Sequence, residues 1–240
     1  MNRDKVFCEI KNLQTRGVIT WYPWIGKDYF YGGMLVVGES NCAKDDVGVT
    51  PDVAVSAVNG NPWFTREVIN RACILHEAYN RTFSAITYLL RKSDGLNVDN
   101  ASVETWNSLA YMDVIQCAMK GVGWLGANAR KRIERPSPSL WKPGWEALYC
   151  VINILKPNKL FFVGASLFYN SKRKYLPAGV NVRIRNEEFI NRLWLRTGVI
   201  TLLDGKKVDV ICIPNPGGEQ GFVKEAWRSS VQCRLEGIDD

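Results

Sequence analysis

The segment Gly38-Glu39-Ser40-Asn41-Cys42, followed by Lys44-Asp45-Asp46, sets a glycine beside small polar residues and carboxylates, just past an apolar run. A glycine lets the backbone approach a ligand closely, and hydroxyl and carboxylate groups next to it can hold a water or a sugar. The same composition also suits an ordinary strand-to-helix turn with solvated carboxylates. The order G-x-S here is not the G-x-S-x-G nucleophile elbow, because Cys42 takes the last position. Cys42 lies among charged groups and is either a reactive thiolate or a small filler of a pocket wall. His76 is the only histidine. It falls on the apolar stripe of a predicted helix and reads as a packing residue, which argues against a Ser-His-Asp mechanism.

Two cationic clusters offer a different chemistry. Arg130-Lys131-Arg132 with Arg135 forms one, and Lys172-Arg173-Lys174 forms the other. Cations, hydroxyls and backbone amides on one face bind phosphates without reading sequence; the alternative is a pair of solvated charge runs. The whole chain carries a net charge of +7, from 31 Lys+Arg against 24 Asp+Glu. That surplus favours a polyanionic partner, nucleic acid ahead of an acidic membrane surface. Seven scattered cysteines with no C-x-x-C pair exclude zinc-finger and iron–sulfur spacings and point to a reducing, cytoplasmic setting. No signal peptide opens the chain, and no apolar run approaches a membrane span.

Elements must position these groups. Met34–Val37 is closed by Gly38, Leu160–Val163 by Gly164, and Val208–Ile213 by Pro214. Continuous rather than alternating hydrophobicity predicts strands covered on both faces, as in a parallel sheet. One helix is predicted from a Thr65 cap to about Arg81, with Val68, Ile69, Ala72, Cys73, His76 and Tyr79 on one side. A second starts with Pro143 in its first turn and stops at Lys156-Pro157. Asn59–Pro62 and Pro214–Gly218 read as turns. The tryptophans read mostly as core or interface anchors. With 240 residues, ordinary composition and no long polar linker, one α/β domain over 1–240 is expected. Ligands of open α/β sheets bind outside the carboxyl ends of the strands, so the loops after Val37, Val163 and Ile213 are where chemistry is expected.

The order of several stretches resembles the uracil-DNA glycosylase superfamily, in its divergent branch whose first motif reads G-E-S. Tyr22–Gly26 precedes the first strand, and Val36-Val-Gly-Glu-Ser40 matches the motif that activates water. Trp106–Gln116 is similar to the segment that contributes a base-reading asparagine. Arg135–Trp141 through Lys156–Gly164 is similar to the helix and strand that follow. Ile213-Pro-Asn-Pro-Gly-Gly218 falls where the family keeps a second motif, usually His-Pro-Ser, on a loop entering the minor groove. The likeness covers roughly residues 20 to 222.

The resemblance implies a three-layer α/β/α sandwich around a central, mainly parallel four-stranded sheet. It also implies base excision from double-stranded DNA: a nucleotide is flipped out and its N-glycosidic bond is hydrolysed without metal or cofactor. Glu39 would supply the carboxylate, Asp45 or Asp46 being the alternatives, with Ser40 where the family often has an acid or asparagine. Asn215 would replace the histidine that donates to the departing base. Arg130, Lys131, Arg132, Arg135, Lys172, Arg173, Lys174, Gly217 and Gly218 would contact the DNA backbone. Phe64 and Tyr111 are candidates for stacking on the base, or core residues. Asp113 would occupy the reading position; a carboxylate offers only acceptors, which suit the exocyclic amino group of cytosine and oppose O4 of uracil. Cys42 would leave room at the C5 position. The expected substrate is therefore a 5-modified cytosine, hydroxymethylated or glucosylated, of bacteriophage DNA, excised in antiviral defence. Competing readings are uracil repair, a non-catalytic DNA-binding module, and a small-molecule hydrolase or transferase using the Gly38 loop. No membrane and no obligate protein partner are expected.

Overall fold

The computed structural model describes residues 1–40, 51–92, 97–119, 121–122, 132–133, 136–164, 175–216 and 222–237. Its elements, in chain order, are α1 (Arg3–Thr15), β1 (Trp24–Ile25), β2 (Met34–Gly38), α2 (Pro51–Gly60), α3 (Phe64–Ile69), a π-helical turn (Asn70–Ile74), α4 (Arg81–Leu90), α5 (Val98–Ser108), β3 (Ala110–Asp113), β4 (Gly121–Val122), β5 (Arg132–Ile133), α6 (Pro138–Leu155), β6 (Lys159–Val163), β7 (Asn181–Ile190), β8 (Leu193–Thr201), β9 (Lys207–Ile213) and α7 (Lys224–Glu236).

The α/β class is as expected, but the sheet has seven strands rather than four, in the order β1-β3-β2-β6-β9-β8-β7. The four strands β3, β2, β6 and β9 run parallel at its centre. β1 adds an antiparallel edge beside β3, and the β8–β7 hairpin extends the other side antiparallel. The hairpin turns at Asn191-Arg192, both left-handed with φ of 46° and 69°, the twist that tight two-residue turns require.

Strand alternation sorts the core into two layers. On one face Leu35, Val37, Leu160, Phe162 and Cys212 pack under α1 and α6. On the other, Val36, Tyr111, Phe161, Val163 and Ile211 pack under α3, α4, α5 and α7, with Trp106 and Trp227 fully buried. Burial on both faces is the cause of the unbroken apolar runs at β2 and β6; in β9 only residues 210–213 are buried on both faces, and Lys207 and Asp209 before them are exposed.

Both predicted helices differ from expectation at their boundaries. Thr65 is a buried residue inside α3 rather than its cap, and the helix does not reach Arg81. After the π turn it ends, and α4 starts afresh with Asn80 accepting from the Phe83 amide. Tyr79, past the end of α3 and its π turn, is 81% exposed rather than on an apolar stripe. α6 starts five residues before Pro143, because the Ser137 side chain caps it at the Ser139 amide and Pro138 fills its first turn. It ends where Lys156 turns left-handed. Among the described residues no helix is long and apolar enough to cross a membrane.

α6 crosses the chain just beyond β3 at Gly144, where a Cβ would lie 2.3 Å from the Val114 carbonyl oxygen. Gly144→Ala is therefore expected to lose about 2–3 kcal/mol of stability in urea unfolding, despite alanine's better helix propensity.

Candidate functional site

The parallel register fixes which groups share the carboxyl edge of the sheet. Gly38 lies opposite Asp113 on β3 and Val163 on β6, and Val163 lies opposite Ile213 on β9. Pairing continues past the strands. Val114 and Ile115 donate to the carbonyls of Gly38 and Glu39 at 2.9 Å, and Gly164 donates to Ile213 at 2.9 Å. Glu39, Asp113 and Asn215 thus stand along one edge, with β6 between the strands of Glu39 and Asn215. Two strand spacings separate those two backbones, roughly 10 Å.

Tyr111 and Asp113 are two residues apart on β3 and so face the same side. The Tyr111 hydroxyl donates to Asp113 Oδ1 at 2.8 Å, and Asp113 is only 1% exposed. Burial raises the Asp113 carboxyl to a pKa of about 7; the Tyr111 hydrogen bond opposes the rise and the charge of Glu39 adds to it. Burial also pushes the Tyr111 phenol well up, with the Asp113 charge second. At neutral pH Asp113 is thus divided between its acid and its carboxylate.

Gly38 is what admits this pair. A Cβ there would lie 2.2 Å from the Tyr111 hydroxyl oxygen and 2.3 Å from Asp113 Oδ1. The glycine makes room for two neighbouring side chains, a different use from the ligand approach expected of it.

The remaining positions are held less directly. Glu39 and Ser40 are half-buried. The Thr82 hydroxyl, in the first turn of α4, donates to Asn215 Oδ1 at 3.3 Å and orients that amide. Gln116, which the sequence did not single out, ties the end of β3 to the segment before β1. Its Oε1 accepts from the Thr20 and Trp21 amides at 3.2 and 3.1 Å, and its Nε2 donates to the Asp113 carbonyl at 2.6 Å.

Of the two stacking candidates, Tyr111 is a core residue, edge-on to Phe83 with centroids 5.5 Å apart. Phe64 is half-buried against Trp21, 5.2 Å between centroids, in a small cluster with Ala118. His76 is not the packing residue its spacing suggested. It has φ 56°, and its Nδ1 lies 3.6 Å from Asp99 Oδ1. Cys42, Asp45, Asp46, Arg130, Lys131, Arg135, Lys172, Arg173, Lys174, Gly217 and Gly218 lie outside the described residues. Of Arg132 only the backbone is described, in β5 paired with β4. Neither of the two larger cavities described is lined by Glu39, Ser40, Tyr111 or Asp113. Among the described residues, no group of three His, Cys, Asp or Glu side chains could hold a metal ion.

Nothing in the sequence marked Tyr111 as Asp113's partner except the spacing Tyr-x-Asp on a strand, with a glycine opposite. No protein-family model matches the chain, and no curated protein sequence matches it.

The raised Asp113 carboxyl has a sign that can be measured. The folded state keeps its proton between about pH 4 and 7 while the unfolded chain releases it, so this group lowers stability as pH rises through that window and no further above it. Asp113→Asn removes that slope. The variant is expected to gain up to about 4 kcal/mol on the wild type between pH 4 and pH 8 in urea unfolding. Gly38→Ala, which drives a methyl group into the pair, is expected to cost at least about 2 kcal/mol in the same measurement.

Proposed function

We propose that the chain is a monofunctional DNA glycosylase that hydrolyses the bond between deoxyribose and a flipped, 5-modified cytosine, acting in the cytoplasm on bacteriophage DNA. The observation that carries this reading is the buried Asp113 carboxyl at the carboxyl edge of the sheet, held by Tyr111 and lying within electrostatic reach of Glu39. Four parallel strands at the sheet centre and the net charge of +7 add support, the first for the fold that the resemblance implies and the second for a DNA partner.

In this reading Asp113 recognises the base. With a pKa of about 7 its neutral form is well populated. A neutral carboxyl offers an O–H to cytosine N3 and a carbonyl to the N4 amino group, a closer match than the acceptor-only carboxylate. Glu39 orients the attacking water and faces the positive charge that develops on the sugar. Water oxygen bonds to C1′ while the C1′–N1 bond breaks and its electron pair leaves with the base. The water proton passes to Glu39, and the Asn215 amide donates to the anionic base before that base takes up a proton. Water is the only co-reactant, and an abasic site remains.

A neutral carboxyl also matches uracil, accepting from N3–H and donating to O4. Uracil repair is therefore the second reading, and a non-catalytic DNA-binding module on the same fold is the third.

Duplexes containing 5-hydroxymethylcytosine, its glucosylated form or uracil separate these readings. Alkali-cleavable abasic sites are expected with modified cytosine, falling about a hundredfold or more in Glu39→Gln. The rate is expected to fall as pH rises through about 7, as Asp113 ionises. Release of uracil alone would overturn the modified-cytosine reading, and release of no base from any duplex would overturn the glycosylase reading.

A further inference from the structure

The β8–β7 hairpin makes β7 the last strand of the sheet. β8 pairs with one side of it, and among the described residues no strand pairs with the other. β7 is 10 residues long and contains no proline, which gives an edge of about 33 Å. Such an edge presents a row of backbone donors and acceptors to any strand that reaches it. Near the hairpin turn the Phe189 and Trp194 rings lie against each other, 4.8 Å between centroids, and are 58% and 42% exposed.

A bulge decides which strand fits this edge. Val182 and Ile184 face the layer of α1 and α6, so Arg183 faces the other way. The register then shifts between Ile184 and Asn186, which puts the successive residues Arg185 and Asn186 on one face. Beyond the shift Glu188 reaches Ser230 and Arg234 of α7, so Phe189 shares the face of Val182. A second β7 laid antiparallel, with a two-fold axis between Arg185 and Asn186, matches faces at every position. It sets Arg183 opposite Glu188, Ile184 opposite Glu187 and Val182 opposite Phe189, each pair occurring twice. Directly opposite pairs on one face are the ones that stabilise antiparallel strands. Arg183 is exposed and, among the described residues, forms no ion pair. The Glu188 side chain, although held from α7, remains 38% exposed. Arg185 and Glu187 keep partners within the chain, Asp209 and Arg196.

We infer that β7 is a self-association edge: two copies of the chain pair these strands antiparallel about a two-fold axis and join their sheets into one. Charges on an edge strand ordinarily keep other chains away. Here their order, arginines in the first half and glutamates in the second, makes the edge complementary to an antiparallel copy of itself. The partner's Val182 covers the exposed Phe189. A contact one strand wide lies at the low end of specific interfaces, so a dimer that dissociates in the micromolar range is expected. The pairing stands whether or not the chain excises bases.

Sedimentation velocity of the full chain, from low to high micromolar concentration, tests it. A monomer–dimer equilibrium is expected. Arg183→Glu, which sets a second carboxylate against Glu188, is expected to weaken the dimer at least about tenfold, and Phe189→Ser severalfold. Both side chains are exposed, so unchanged melting temperatures at low concentration would show both variants folded. Carbodiimide cross-linking of Arg183→Lys reads the register. A link from position 183 to Glu188 is expected between isotopically light and heavy chains, since along one strand the two positions stand roughly 15 Å apart. A chain that stays monomeric would overturn the inference. So would a dimer unmoved by Arg183→Glu and without that link, which would place the contact elsewhere. A monomer whose β7 amides all resist hydrogen exchange would show another segment covering the edge, and would overturn it too. Base release from duplex DNA, assayed separately, is untouched by any of these results.

Discussion

A carboxyl group with almost no exposure has to be accommodated at the edge of a sheet, and the space for it exists because Gly38 has no side chain. The Tyr111 hydroxyl and Asp113 Oδ1 both occupy the volume in which any other residue at Gly38 would put its Cβ. Everything proposed for the strand-end site follows from that packing. It fixes Asp113 in one orientation, excludes water from it and raises its pKa toward neutrality. It also draws the backbone after β3 against the one after β2, where Val114 and Ile115 continue the ladder onto Gly38 and Glu39. The acid that would read a base and the acid that would activate water are thereby coupled through a few ångströms of backbone.

The surrounding architecture reinforces this constraint from both faces. Phe83 and Trp106 hold the Tyr111 ring from the layer of α4 and α5. Trp106 in turn donates from Nε1 to Thr87 Oγ1 at 2.9 Å, so the aromatic cluster is tied to α4 by a buried hydrogen bond. On the other face α6 approaches so closely at Gly144 that no Cβ fits against the Val114 carbonyl. Gln116 closes the arrangement by fixing the turn after Asp113 to Thr20 and Trp21. A carboxyl so enclosed cannot relax toward solvent, which is why its ionisation is costly.

Much of the sheet was legible because its physics is local. β2 and β6 are buried on both faces and announced themselves as unbroken apolar runs ending in glycine; β9, interrupted by the exposed Asp209, has only its last four residues buried on both faces before Pro214. β7 was not legible: its apolar face starts with Val182 and Ile184, but the register shifts between Ile184 and Asn186, and Arg183, Arg185, Glu187 and Glu188 leave the alternation too short to stand out. The stretch from Phe64 to Tyr79 misled because its i, i+3, i+4 spacing presumes an α-helix throughout, and the π turn breaks that period at Asn70. Of the site, the placement of Glu39, Asp113 and Asn215 along one edge could be argued from strand ends and motif order. The Tyr111 pairing and the bracing by Gln116 and Thr82 depend on register between strands and helices, which no single stretch of sequence reveals.

Carbon-13 NMR of carboxyl-labelled aspartate, with Asp113→Asn to assign the resonance, observes the ionisation of this side chain directly. A titration midpoint near 7 is expected for Asp113, and a higher one in Tyr111→Phe, where the donor that favours the carboxylate is gone. A midpoint in the ordinary range for an exposed aspartate, or one unmoved by Tyr111→Phe, would contradict it.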